Sequence, residues 1–221
     1  MTYIDIIIII LILLGLTLGY SEGIYKTILD IFVLFISMVI SSIVSKPISE
    51  SLYSILPFIK IGGLYSVNLI IYRLIVYLLI CLIIFGIYQF ILRKTEFDDK
   101  LVKENISLNI FVRIIGSILG MPFVILILYN VMLFVNLPII NLNGINNSLL
   151  VPRIIERTVI VSNNNIDLYM AEEDTKSIIS EYEITKKKNT KEDIEITNDL
   201  VEIGFVSSNT VDKLRKKGSL K

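Results

Sequence analysis

Long apolar runs separated by short polar connections fill the first 135 residues, and this pattern predicts membrane-spanning helices. A helix needs about 20 mostly apolar residues to cross the hydrocarbon core of a bilayer. Four runs have about this length, at residues 3–20, 24–44, 67–92 and 110–135. The first run lacks the basic start and the small-residue cleavage site of a signal peptide, which favours a retained helix over a cleaved leader.

Glycines at a spacing of four mark the end of the first run. Gly15, Gly19 and Gly23 fall on one helical face, and each costs a helix about 1 kcal/mol relative to alanine. Small residues at this spacing allow another helix to approach closely in a membrane. Because the stripe leads directly into the second run, we predict that the first two helices form a tight hairpin. Gly116 and Gly120 predict a second close contact in the fourth run.

The connection between the second and third runs predicts a short separate helix. Pro47 suits the first turn of a helix, while Pro57 and the glycines at 62–63 end it. Its apolar residues on one face are Leu52, Ile55, Leu56 and Ile59. Because this segment is too short to span the bilayer, we predict that it lies in the membrane interface.

The C-terminal part of the chain differs in composition. Residues 153–221 contain 12 Lys+Arg and 13 Asp+Glu, against nine and eight in residues 1–152. We predict a four-helix transmembrane domain at 1–155 and a charged extension at 156–221. The run Asn146-Asn147-Ser148 suits the cap of a short amphipathic helix with Pro152 in its first turn, and the asparagines at 163–165 predict a break. We predict that the extension is partly helical or disordered, because it has too few aromatic residues for a core.

Much chemistry is excluded by composition. The chain has no histidine and one cysteine, Cys81, so it holds neither a His-based nucleophile system nor a multi-thiolate metal site. It has no glycine-rich phosphate-binding loop, and its net charge of zero argues against a nucleic-acid partner. We therefore predict no catalytic residue, no cofactor, no metal site and no enzymatic activity. A Ser–Lys dyad stays open, although no pair stands out.

Charged residues inside the apolar runs are the remaining candidates. They are Asp5, Asp30, Arg73 and Arg113. Asp30 and Arg73 each lie about 10 Å from a helix end by rise per residue, and charges at such depth suggest function. We hypothesise that Asp5 pairs with Arg73, and that Asp30 pairs with Arg113 or Lys26. The alternative is a transport or proton-relay role.

Basic residues near the helix ends predict the orientation. The side with the first and third loops carries Lys26, Arg93, Lys94, Lys100, Lys103 and Arg113. The opposite side carries Lys46, Lys60, Arg153 and Arg157. This difference favours both termini on the extracytoplasmic side.

Three motifs in order carry a family resemblance over residues 1–155. Asp5 precedes the first run, which continues as L-L-G-L-T-L-G-Y-S-E-G. The fourth run opens with R-I-I-G-S-I-L-G, and S-L-L-V-P follows at 148–152. With this order and spacing, the chain resembles the colicin V production protein family of bacterial inner-membrane proteins.

The resemblance implies a location and a broad role, but no reaction. The family is named for a requirement in toxin production and is associated with the envelope and stress tolerance. Its biochemical activity is not established, so no catalytic residue carries over. In some relatives a similar four-helix domain anchors an extracytoplasmic serine protease, which agrees with an outside C-terminus. The tail of this chain lacks histidine and is not such a protease.

Together these observations favour a non-enzymatic accessory or scaffold protein, spanning the inner membrane several times. Its expected partners are the lipid bilayer and other membrane proteins or further copies of itself. Two alternatives remain. One is a small transporter or channel that works as an oligomer, and the other is a membrane anchor whose tail recruits partners.

Overall fold

A computed structural model describes residues 2–55, 65–95, 110–135, 148–161 and 190–216, and every regular element in these ranges is an α-helix. The helices are α1 (Tyr3–Ile55), α2 (Tyr65–Lys94), α3 (Ile110–Val135), α4 (Leu150–Val161), α5 (Thr190–Glu202) and α6 (Ser208–Lys216). Within the described ranges, the first three are long and apolar enough to cross a membrane.

The first helix is far longer than one crossing requires. Its 53 residues correspond to about 80 Å at 1.5 Å per residue, more than twice the hydrocarbon thickness. The helical conformation is interrupted at Gly23, with φ 78° and ψ 177°, a region of backbone space that is essentially restricted to glycine. Gly23 therefore divides α1 into a first arm, residues 3–22, and a second arm, residues 24–55.

The second arm continues where the sequence predicted a boundary. Pro47 lies inside α1, which ends only at Ile55, so the prediction that Pro47 starts a separate helix is wrong. Serine hydroxyls bond backbone carbonyls on both sides of the proline, from Ser45 to Ser42 at 3.0 Å and from Ser51 to Pro47 at 2.9 Å. Residues 56–64, the end of the predicted interfacial helix, lie outside the described residues.

Exposed apolar side chains and buried polar ones characterise the long helices. Leu82, Phe90 and Phe111 are 65–69% exposed, whereas Asp5 and Ser37 have no exposed surface. This distribution is the reverse of that in a water-soluble protein. It fits helices whose outer surface is covered by lipid.

The chain divides into two compact units. The first unit comprises Met1–Ile40, Ile80–Met132 and Leu142–Thr158, and the second comprises Ser41–Leu79, Leu133–Asn141 and Val159–Lys221. Both α1 and α2 contribute residues to both units. The second unit therefore combines the end of α1, the start of α2 and the C-terminal helices α5 and α6.

The apolar side chains of the C-terminal helices are buried within the second unit. Ile196, Leu200, Phe205, Val206 and Val211 are all at most 7% exposed. The expectation that the extension is too poor in aromatic residues to be packed is therefore wrong for residues 190–216. The prediction of the short helix after Ser148 is confirmed by α4, while the predicted break at 163–165 lies outside the described residues.

Candidate functional site

The first arm of α1 crosses α3 where glycines face each other. A Cβ atom added to Gly15 would lie 2.7 Å from the carbonyl oxygen of Gly120, and one added to Gly116 would lie 2.6 Å from that of Gly19. Real Cβ atoms essentially never approach so closely, so only glycine allows these backbones to touch. Since Gly15 lies opposite Gly120 and Gly19 opposite Gly116, the two helices are antiparallel.

This glycine crossing also includes the break in α1. A Cβ atom on Gly116 would lie 2.8 Å from the carbonyl carbon of Gly23, and the hydroxyl of Ser117 donates to the carbonyl of Leu16 at 2.8 Å. The helix that lies against the stripe is thus α3. The sequence had suggested the second arm of α1 as the close neighbour.

Asp5 is bonded at the start of α4 in the first unit. Its Oδ1 atom accepts hydrogen bonds from the hydroxyl of Ser148 at 2.6 Å and from the backbone N–H groups of Leu149 and Leu150 at 3.1 Å each. Its Oδ2 atom accepts two more from Thr2, just before α1. One fully buried carboxylate therefore serves the N-termini of two helices, where the helix dipole favours a negative charge.

The predicted Asp5–Arg73 ion pair is wrong. The carboxylate of Asp5 is occupied by hydroxyl and backbone donors from Thr2 and residues 148–150. Arg73 belongs to the second unit and bonds the backbone of Phe205. Backbone N–H groups at a helix start were available to Asp5 without a cation, which the sequence-based argument about charge depth did not consider.

Asp30 is held by two polar side chains of α2. The hydroxyl of Tyr88 donates to its Oδ1 atom at 2.7 Å, and the amide nitrogen of Gln89 donates at 3.2 Å. Asp30 is 2% exposed. The candidate partners named from the sequence also have contacts elsewhere, since Lys26 pairs with Glu22 at 2.8 Å and the guanidinium of Arg113 lies 5.6 Å from the ring centre of Tyr20.

Arg73 binds the turn between α5 and α6 in the second unit. Its Nη1 atom donates to the carbonyl of Phe205 at 2.8 Å, and its guanidinium lies 4.1 Å from the centre of the Phe205 ring. Both side chains are at most 3% exposed. Cation–π contacts are strongest when desolvated in this way, so this predicted intramembrane charge fixes the C-terminal helices.

Two charged side chains of α1 bind the same turn. Glu50 accepts from the backbone N–H and the hydroxyl of Ser207 at 2.7 Å each, and from the hydroxyl of Thr210 at 2.8 Å. The ammonium group of Lys46 donates to the carbonyl of Gly204. Ser207 immediately precedes α6, so Glu50 places a negative charge at the N-terminus of that helix, where it is stabilising.

A further contact joins the start of α2 to α5. The Oδ1 atom of Asp193, in α5, accepts from the backbone N–H of Ser66 at 3.1 Å and from its hydroxyl at 2.6 Å. We name the surface formed by Lys46, Glu50, Ser66 and Arg73 the tail-binding site. Of these contacts, only the cap of α6 has a local signal, the S-S-N-T run at 207–210, because partners more than 120 positions apart have no local pattern.

Apolar spans, buried polar groups and a glycine crossing define a helical membrane protein. A family model described as the colicin V production protein matches residues 4–159, and the chain belongs to that family. A search of curated proteins and a search of solved structures each found no match. The matched region includes the glycine crossing, the contacts of Asp5 with residues 148–150 and the whole tail-binding site, whereas α5 and α6 lie beyond it.

The glycine crossing generates a first prediction. Replacing Gly19 with leucine should lower the free energy of unfolding by at least about 1–3 kcal/mol, because the side chain must force two touching backbones apart. The measurement is thermal unfolding in detergent. Gly86→Leu is the matched control, since a Cβ atom there meets nothing within 4 Å. Equal melting temperatures for the two variants would contradict close packing at the crossing.

A second prediction concerns Asp5. Asp5→Ala should destabilise the protein by about 1–3 kcal/mol for each buried donor left unpaired. In a double-mutant cycle with Ser148→Ala, we expect a coupling of about 1 kcal/mol or more, because the two side chains share one network. The same cycle with Arg73→Gln should be additive. Additivity with Ser148, or coupling with Arg73, would overturn the assignment of partners.

Proposed function

We propose that the protein is a non-enzymatic scaffold of the bacterial cell envelope, resident in the inner membrane. One observation carries this proposal: three buried charged residues of the long helices, Asp5, Asp30 and Arg73, bind other elements of the same chain. Asp5 bonds the start of α4, Asp30 bonds α2, and Arg73 bonds the turn after α5. Such contacts use intramembrane charge to hold helices in place, which suits a protein that organises others.

We further propose that α1 makes two of four membrane crossings, with the chain reversing at Gly23. The length of α1 and the backbone conformation of Gly23 support this count. The first arm runs antiparallel to α3, as expected for a first and a fourth crossing. The distribution of basic residues supports both termini on the extracytoplasmic side.

The orientation has a direct test in a Cys81→Ser background. A cysteine at Ser208, which is exposed, should react with a membrane-impermeant thiol reagent on spheroplasts. A cysteine at Thr95, exposed just after α2, should react only after the membrane is permeabilised. The opposite labelling pattern would place the tail in the cytoplasm, and it would overturn the orientation while leaving the fold unaffected.

A second candidate function rests on Asp30. A buried carboxylate within a membrane helix is a feature of proton and ion pathways, and Asp30 is 2% exposed between donors from Tyr88 and Gln89. This arrangement favours a small oligomeric transporter or channel as the alternative.

The two functions predict opposite behaviour of Asp30→Asn. If the protein is a scaffold, the Asp30→Asn variant should retain its cross-linked complexes with other membrane proteins in native membranes. Proteoliposomes that contain the unaltered protein should then conduct protons and potassium no faster than protein-free vesicles. A transporter should show flux that Asp30→Asn abolishes while assembly persists. Tyr88→Phe is the control, because it removes one donor and keeps the charge. Flux that depends on Asp30 would overturn the scaffold proposal.

A further inference from the structure

The tail-binding site has the chemistry of a peptide receptor. It offers a cation for a carbonyl and an aromatic ring (Arg73), a second cation for the preceding carbonyl (Lys46), and a carboxylate for a helix N-terminus (Glu50). Together these groups recognise a turn that contains phenylalanine and that leads into a helix capped by serine. We propose that this site also binds the tail of a second copy of the chain, so that neighbouring molecules exchange tails.

The ligand of this site is a short continuous segment. Residues 204–210 supply the contacts to Lys46, Glu50 and Arg73, and one further contact comes from Asp193. Phe205 is the apolar anchor, at 1% exposure. Recognition is therefore local in sequence, as in peptide binding, where a few anchors and main-chain hydrogen bonds provide the affinity.

The chain between α4 and α5 is long enough for exchange. Residues 162–189 number 28, and a chain of that length spans up to about 95 Å at 3.3–3.6 Å per residue. Two small helical bundles in contact in a membrane are about 30 Å apart, or three helix diameters. A tail can therefore reach the tail-binding site of an adjacent molecule as well as its own.

The family model covers the tail-binding site but not the tail segment that the site binds. All four residues of the tail-binding site lie within the region that matches the colicin V production family, residues 4–159, whereas the segment at 204–210 lies outside it. The site thus belongs to the membrane domain and the ligand to an appended extension. Exchange of an identical element between copies is a low-cost route to assembly, because it reuses contacts that already exist.

The second copy as partner deepens the scaffold proposal and rests on it. Because each copy has one tail and one tail-binding site, exchange links the copies into closed dimers, rings or linear chains in the membrane. Confinement to one membrane raises the effective concentration of tails near the receptors of adjacent molecules.

The test uses two differently tagged full-length chains expressed together, both with Cys81→Ser. One chain carries a cysteine at Ser51, beside Glu50, and the other carries a cysteine at Ser208, beside Ser207. Both positions are exposed. A thiol-to-thiol crosslinker applied to native membranes should join the two chains. A single chain with both cysteines reports total tail binding, within and between molecules.

Asymmetric variants identify which molecule supplies the tail. Phe205→Ala in the Ser208-cysteine chain should reduce the mixed product at least tenfold, and Arg73→Gln in the Ser51-cysteine chain should do the same. Phe205→Ala in the Ser51-cysteine chain should not reduce the product, because it weakens only the competing tail of that chain, and this result also shows that the variant folds. Ile203→Ala in the tail donor is the matched control, since Ile203 is exposed beside the turn.

The outcomes of this experiment distinguish the tail-exchange proposal from the scaffold proposal. Crosslinking confined to the double-cysteine chain, with no mixed product, would overturn tail exchange. Complexes with other membrane proteins would then still support the scaffold proposal. A mixed product that survives Phe205→Ala in the tail donor would likewise overturn exchange, because contact would not depend on the anchor.

Discussion

Hydrocarbon offers no hydrogen bonds, so every polar group on a membrane helix must be bonded by the protein itself. Most of the specific architecture of this chain follows from that constraint. Asp5, Asp30 and Arg73 each bind a different helix or turn, and each of them is at most 3% exposed. Many apolar side chains of the long helices, such as Leu82, Phe90 and Phe111, are instead exposed on the helix surface, where lipid can solvate them.

A recurring device satisfies these requirements. Among the residues that the structure describes, three carboxylates each lie at the N-terminus of another helix: Asp5 at α4, Glu50 at α6 and Asp193 at α2. Each provides a negative charge where several N–H groups lack partners within their own helix. At Asp5 the donors are N–H and hydroxyl groups, which explains how an acidic residue can be buried at the start of a membrane helix.

Periodicity and spacing predicted the elements better than their partners. The bounds of α3 are those expected from the apolar run, and α2 extends only two residues beyond it at each end. The cap at Ser148 was also readable, because N-cap chemistry is local. Pro47 misled the prediction, because proline is tolerated inside membrane helices more often than inside helices in water.

Contacts between residues far apart in the chain could not be predicted from the sequence. Asp5 bonds a residue 143 positions away and Arg73 one 132 positions away, and no local pattern encodes such separations. The core of the tail was missed for a related reason. Counting aromatic residues within the extension ignored that α5 and α6 bind the ends of α1 and α2, which supply the rest of the packing within the second unit.

The glycine crossing has a consequence for biosynthesis. Gly15 and Gly120 are separated by about 100 residues, so the first arm leaves the insertion machinery well before its partner exists. At typical translation rates of 5–20 residues per second, this delay is roughly 5–20 s. During that interval a glycine-lined surface faces lipid, stable as a helix but without its neighbour. Helix insertion and helix association are thus separate stages for this protein, and the second stage begins only when α3 has entered the bilayer.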